Sequence, residues 1–152
     1  MTKEPIPTWC FALVVVRRGD QFLMVQERGH GQRWYLPAGR LEQGETFVAG
    51  AERETLEEAG IPIRVTGILR IEHSPRTSGA RLRVIFLGEP ADQTPLKSVP
   101  DDESLGAAWV RLDQLHDFPL RGEEVRELFT YVQTGGTIFP PKLLQFEGYP
   151  YF

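Results

Sequence analysis

Residues Thr46 to Ala59 carry a helix pattern so sharply bounded that the rest of the chain must be arranged around it. The Thr46 side chain can cap the first turn, alanines favour the interior, Gly60 suits a left-handed stop, and Pro62 prevents continuation. Inside this helix Glu54, Glu57 and Glu58 stand at i, i+3 and i+4. At about 100° per residue the three carboxylates share one face, where like charges repel. A hard divalent cation such as Mg²⁺ or Mn²⁺ relieves that repulsion, because carboxylate oxygens are its preferred ligands. The plain alternative is a solvated acidic face, and the three glutamates alone do not exclude it.

Strand patterns flank the helix. Trp9 to Val16 is short, apolar and valine-rich, which suits a strand buried on both faces. Arg17-Arg18-Gly19-Asp20 is a turn, and Gln21 to Gln26 completes a hairpin. Ile63 to Glu72 and Leu82 to Leu87 read as strands separated by a Ser/Pro/Gly loop, and Leu105 to Val110 as another. A second helix over Glu123 to Val132 places Val125, Leu128, Phe129 and Val132 on one stripe. This order predicts an α/β (α+β) chain: a mixed β-sheet with helices on its faces.

With 152 residues, residues 1–152 are expected to form a single domain, 1–8 a lead-in and 137–152 an aromatic, proline-rich tail. The formal charge of −4 carries no broad basic face, so no nucleic-acid polymer is expected as partner. The longest N-terminal apolar run is too short for a bilayer, so no membrane association is expected and the cytoplasm is the expected location. One cysteine, Cys10, allows no internal disulfide, and packing is its expected role. The tail rings Phe146, Tyr149, Tyr151 and Phe152 suit either intramolecular packing or a homodimer contact.

The segment from Gly39 to Ile61 carries further fixed spacing. Gly39 is followed after five residues by Glu45, after seven more by Arg53-Glu54, then by Glu57-Glu58, Gly60 and Ile61. This resembles the box of the Nudix hydrolases, G-x5-E-x7-R-E-U-x-E-E-x-G-U, where U is bulky and aliphatic. The one departure is Thr55 at the first U position, a β-branched residue of valine's size.

The resemblance implies a Nudix-type α/β/α sandwich hydrolysing a nucleoside diphosphate joined to another moiety, with two or three Mg²⁺ or Mn²⁺ ions. It makes Glu54, Glu57 and Glu58 metal ligands together with the Gly39 carbonyl. It makes Glu45 a water-mediated ligand or an orienting group, Arg53 a structural partner of the box glutamates, and Gly60 the helix stop. Family members often add an acid six residues before a strand tryptophan. Here that position is Glu103, ahead of Trp109, with Asp101 and Asp102 as neighbours that could substitute. Glu54 or Glu58 is the expected general base, with Glu103 a third choice.

Residues 8–132, including Trp34 to Arg40, Glu103-Ser104-Leu105, Ala107-Ala108-Trp109 and Pro119-Leu120-Arg121, look like the subgroup acting on 8-oxoguanine nucleoside diphosphates. The Pro37-Ala38-Gly39 lead-in is also similar to a thiamine-pyrimidine and nucleoside triphosphate subgroup. ADP-ribose or a thiamine-pathway pyrophosphate is therefore an alternative substrate, and a non-catalytic nucleotide-sensing module is the alternative of another class. Expected substrate contacts are Arg28 and Arg33 beside the loop before the box, Arg83 inside an apolar strand, and Trp34 and Phe86 as stacking rings, with Phe11 also considered.

Overall fold

The structure is a computed structural model and describes residues 3–151. In chain order the elements are β1 (Thr8–Arg18), β2 (Gln21–Gln26), β3 (Trp34–Tyr35), β4 (Ala38–Arg40), α1 (Phe47–Ala59), β5 (Ile63–Arg76), β6 (Gly79–Pro90), β7 (Gly106–Arg111) and α2 (Glu124–Gln133). Short 3-10 turns occupy His30–Gln32, Leu112–Asp117 and Pro141–Leu143.

The seven strands form one mixed sheet with the order β3-β2-β1-β6-β5, β4 pairing with β1 and β7 with β2. The β1–β6 pair is parallel, whereas β1–β2, β1–β4, β2–β3, β2–β7 and β5–β6 are antiparallel. Because successive side chains alternate between faces, β1 and β6 feed two cores. Ala12, Val14, Val84 and Phe86 lie under α1. Leu13, Val15 and Ile85 meet Val125, Phe129 and Val132 of α2 on the other face, where Phe22 and Phe129 stack with centroids 4.5 Å apart. The expected α/β/α layering follows from this division of one sheet's side chains between two helices.

α1 is bounded as its sequence predicts. The Thr46 hydroxyl accepts a hydrogen bond from the Ala49 N–H at 3.1 Å. Gly60 has φ = 79° and its N–H donates to the Leu56 carbonyl. Thr55 is fully buried, and its hydroxyl donates to the Ala51 carbonyl at 2.8 Å, so its polar atom is satisfied within the helix.

Two expectations are corrected. β1 is buried only from Ala12 to Val16: Cys10 is half-buried and Trp9 is 55% exposed, its ring under the Arg40 guanidinium. The Ser/Pro/Gly stretch before Leu82 is mostly ladder, with Pro75 opposite Ala80 and Arg76 opposite Gly79. Proline is tolerated there because β5 ends the sheet order, and an edge strand has a side that needs no donor. The tail splits: Phe139 exchanges backbone hydrogen bonds with Ile68 and Leu144 packs beneath α1, while the rings of Phe146, Tyr149 and Tyr151 stay exposed. Phe152 lies outside the described residues. Among the described residues no helix is long and apolar enough to cross a membrane.

Candidate functional site

Arg53 organises the acidic face of α1. Its Nε donates to Glu45 Oε2 at 2.6 Å and its Nη2 to Glu45 Oε1 at 2.9 Å, a two-pronged pair. Its Nη1 donates to Glu54 Oε1 at 2.9 Å and to Glu57 Oε2 at 3.1 Å. Nη2 also donates to the Arg40 carbonyl, tying the helix to β4. The Arg53 hydrogen bonds hold the Glu45 carboxyl below its ordinary range.

Glu54 and Glu58 meet the β4 side of the sheet at adjacent residues. The carboxylate of Glu54 lies where a side chain on Gly39 would project, so even a methyl group there would overlap it. Glu58 Oε1 accepts from the Ala38 N–H at 3.0 Å. Burial pushes the Glu58 carboxyl up to about 9, outweighing the Ala38 hydrogen bond, and the nearby charges of Glu54, Glu27 and Glu103 add to the rise. Burial also raises Glu54, as do Glu57 and Glu103, against the opposing pull of Arg53.

Glu103 reaches this group because the loop after β6 is pinned to the end of α1. The Lys97 N–H donates to the Ala59 carbonyl, and Lys97 Nζ to the Glu57 carbonyl at 2.7 Å and to Asp101. The Ser104 hydroxyl donates to the Glu58 carbonyl at 2.6 Å. Arg28, an expected substrate contact, donates from Nη1 to the Asp101 carbonyl at 3.0 Å and so ties its own loop to this one. Asp101 is committed to Lys97 and to the Glu103 and Ser104 N–H groups.

Among the described residues, no three acidic, imidazole or thiol groups converge closely enough to hold an ion as they stand. Arg53 sits between Glu54 and Glu57, and Glu58 is turned to Ala38. The donor set nevertheless fits a divalent cation. It is an all-oxygen group with mutual repulsion, with one arginine, Arg53, shared among Glu45, Glu54 and Glu57 and no described cation on buried Glu58, and with a glycine whose missing side chain leaves room at Glu54.

Gly39 also borders a cleft of about 240 Å³ lined by Phe11, Leu13, Glu27, His30, Tyr35, Ala38, Arg81, Arg83 and Arg121. Arg83 lines it but is already engaged, 2.9 Å from Glu72 and 2.8 Å from Glu124. Phe86 is fully buried beneath α1 and has no face to offer a base, which corrects its expected stacking role. It alternates with Ile85 on β6 and so points away from the cleft side of the sheet. Trp34 packs edge-on against Phe118 and is outside the cleft lining, as is exposed Arg33. Glu27, His30 and Arg81 carry no site signal in the sequence, and Arg121 enters it only within the Pro119-Leu120-Arg121 segment. His30 and Gln32 adopt positive φ, 52° and 56°, a loop geometry without a sequence signature in non-glycine residues. A larger cavity of about 500 Å³ lies between α2 and β5 and touches none of the box glutamates.

The NUDIX domain family model matches residues 8–131. The chain therefore belongs to the NUDIX domain family. It is 40% identical over 120 residues to an 8-oxo-dGDP phosphatase from Danio rerio, covering 76% of this chain and 35% of that protein. It is 35% identical over 117 residues to an NAD-capped RNA hydrolase from Yersinia enterocolitica, covering 76% of this chain and 43% of that protein. The chain thus spans well under half the length of these curated relatives. A NUDIX hydrolase structure from Nitrosomonas europaea superposes with a TM-score of 0.76 at 27% identity, covering 92% of this chain and 97% of that one. Divalent-metal dependence is general among Nudix hydrolases.

Proposed function

We propose that this chain hydrolyses the diphosphate linkage of a nucleoside diphosphate derivative, with oxidised guanine nucleotides the first substrates to test. One observation carries the reading: Glu54 lies against Gly39 and Glu58 against Ala38, both within electrostatic reach of Glu103, and Gly39 also borders a cleft with arginines and aromatic rings. Acids at one end and cations with rings at the other match a molecule that is highly charged at one end and planar at the other. The resemblance to an 8-oxo-dGDP phosphatase over most of this chain supports the same substrate class.

In this reading Glu54, Glu57, Glu58 and the Gly39 carbonyl hold Mg²⁺ or Mn²⁺, with Glu103 adding a ligand or contacting metal-bound water. Bound there, the cation would neutralise phosphate oxygens and acidify a water. Glu54 or Glu58, with Glu103 as third choice, accepts the proton of the attacking water as the phosphorus–oxygen bond to the leaving phosphate breaks. Arg53 and Glu45 hold the glutamates in register. The domain acts on small nucleotides, and residues 1–152 work as one unit.

The test is a panel of nucleoside di- and triphosphates, oxidised guanine forms included, with ADP-ribose, NAD and thiamine pyrophosphate, assayed in Mg²⁺ with products resolved. One nucleoside diphosphate derivative preferred by kcat/KM supports the reading. Metal and nucleotide binding without turnover of any panel member overturns it in favour of a sensing module.

A further inference from the structure

The three arginines of the cleft differ in what they already hold. Arg83 is paired with Glu72 and Glu124. Arg121 is paired with Glu27 at 2.9 Å, its guanidinium over the Tyr35 ring. Arg81 alone of the three has no carboxylate partner among the described residues. Its guanidinium carbon sits 4.6 Å from the centroid of Phe11, and its Nε, like that of Arg83, is buried with no hydrogen-bond partner among the protein atoms, but unlike Arg83 it has no described carboxylate within ion-pair distance. A shielded donor left unmatched is costly, so a group with acceptors is the natural complement of this position.

Register gives the position its scale. Gly39 lies opposite Ala12 on one side of β1, and Arg81 lies beside Trp9 on the other. Three residues along a strand is roughly 10 Å, and the two partners add the width of the strands between them. Arg81 is thus well separated from Gly39 yet lines the same cleft. A phosphate held at the glutamates would not reach it, whereas the base of a nucleotide anchored there would. A flat guanidinium laid on a phenyl ring offers a stacking surface together with a fork of donors, the pattern that reads the carbonyl oxygen of a guanine-type purine. Adenine presents an amino donor at the same ring position and would meet donor with donor.

We propose that Arg81, braced on Phe11, is the residue that selects the base, favouring a purine with a carbonyl at its six-membered ring over adenine. This rests on the hydrolase reading for the location of the phosphates. Arg83 and Arg121 shape the cleft, while Arg81 supplies the discriminating contact.

The test measures binding apart from turnover, by calorimetric titration of wild type, R81M and R81K with the α,β-methylene analogues of GDP and ADP in Mg²⁺. Wild type is expected to prefer the guanine analogue. R81M should weaken it by at least about fivefold while changing the adenine analogue by less than about twofold, as expected for loss of one base-edge pair. R81K keeps the charge without the fork and should also lose the preference. Absence of a guanine preference in wild type, equal weakening of both analogues by R81M, or full preference in R81K would each overturn the assignment. Arg81 is partly exposed, so both variants should fold, and their melting temperatures verify it. If the analogues follow the expected pattern but wild type turns over no diphosphate, the hydrolase reading falls and the role of Arg81 in base selection stands.

Discussion

The Ser104 hydroxyl donates to the backbone carbonyl of Glu58 across 46 residues of chain, at 2.6 Å, with both residues buried. Through that bond the loop bearing Glu103 is fastened to the last turn of α1, one of whose orphan carbonyls is thereby satisfied. Glu103, the acid proposed to join the helix glutamates from a distant loop, is thus held in place by its neighbour's side chain.

Ser104→Ala should therefore affect both stability and turnover. Loss of a buried hydrogen bond costs about 1–3 kcal/mol, and the freed loop should lower kcat. Denaturant unfolding and steady-state kinetics check this. Unchanged turnover in a destabilised variant would show that the tether serves the fold alone.

Gly39→Ala places a methyl group inside the Glu54 carboxylate. The end of a flexible side chain can move, so the fold should survive while Glu54 leaves its place. The expected result is a loss of roughly 100-fold in turnover, the scale of a misplacement by an ångström, with a near-native melting temperature.

Glu58→Gln should abolish most activity, as should Glu57→Gln, but their effects on the metal-free fold should differ. Glu58 is the buried acid whose folded pKa is pushed up to about 9 by burial first and by Glu54, Glu27 and Glu103 next. An acid with a raised folded pKa binds more protons folded than unfolded, so its contribution to stability is present below about 4.3 and is lost as pH rises through about 9. In chelator at pH 8, Glu58→Gln should thus melt higher than wild type, and the advantage should shrink as pH falls. Added Mg²⁺ should reverse the order, because ligand binding stabilises only the protein that retains its ligand set. Thermal melts with and without Mg²⁺ across pH decide this, and full activity in excess chelator would remove the metal from the proposal.

Glu124 joins three elements by accepting from the Tyr35 hydroxyl and from Arg83 Nη2. Burial raises its carboxyl, but the Tyr35 and Arg83 hydrogen bonds outweigh it and leave the pKa lowered. A lowered acid contributes stability above its unfolded value and loses it as pH falls through the folded one. Glu124→Gln should lower the denaturation midpoint at pH 7, and the difference from wild type should close as pH falls below the ordinary carboxylate range. A pH-independent difference would place the effect in packing rather than in the charge.

Much of the candidate site was legible because its information is local. The cap at Thr46, the stop at Gly60 and the shared face of Glu54, Glu57 and Glu58 follow from the geometry of one helix, and Arg53 sits beside Glu54 and one turn before Glu57. Even Thr55, the exception in the motif, finds its partner four residues back within the same helix. The continuous apolar run of β1 likewise announced a strand buried on both faces, though not where its exposed start would give way to burial.

What the sequence by itself determined is the helix, its carboxylates, the order of elements and the family they belong to. Which side chains line the cleft was decided only by tertiary structure. Phe11, Glu27, Tyr35, Arg81 and Arg121 come together because β1 and β6 pair in parallel, β3 docks on β2, and Arg121 lies against the Tyr35 ring. Phe86 and Arg83 sit three residues apart on one strand and read alike as candidates, yet the period-two alternation of the strand sends one into the α1 core and the other to the cleft. Side-chain spacing along one element is encoded in the chain, whereas proximity between elements depends on register and on which face each buries. Those are properties of the assembled sheet.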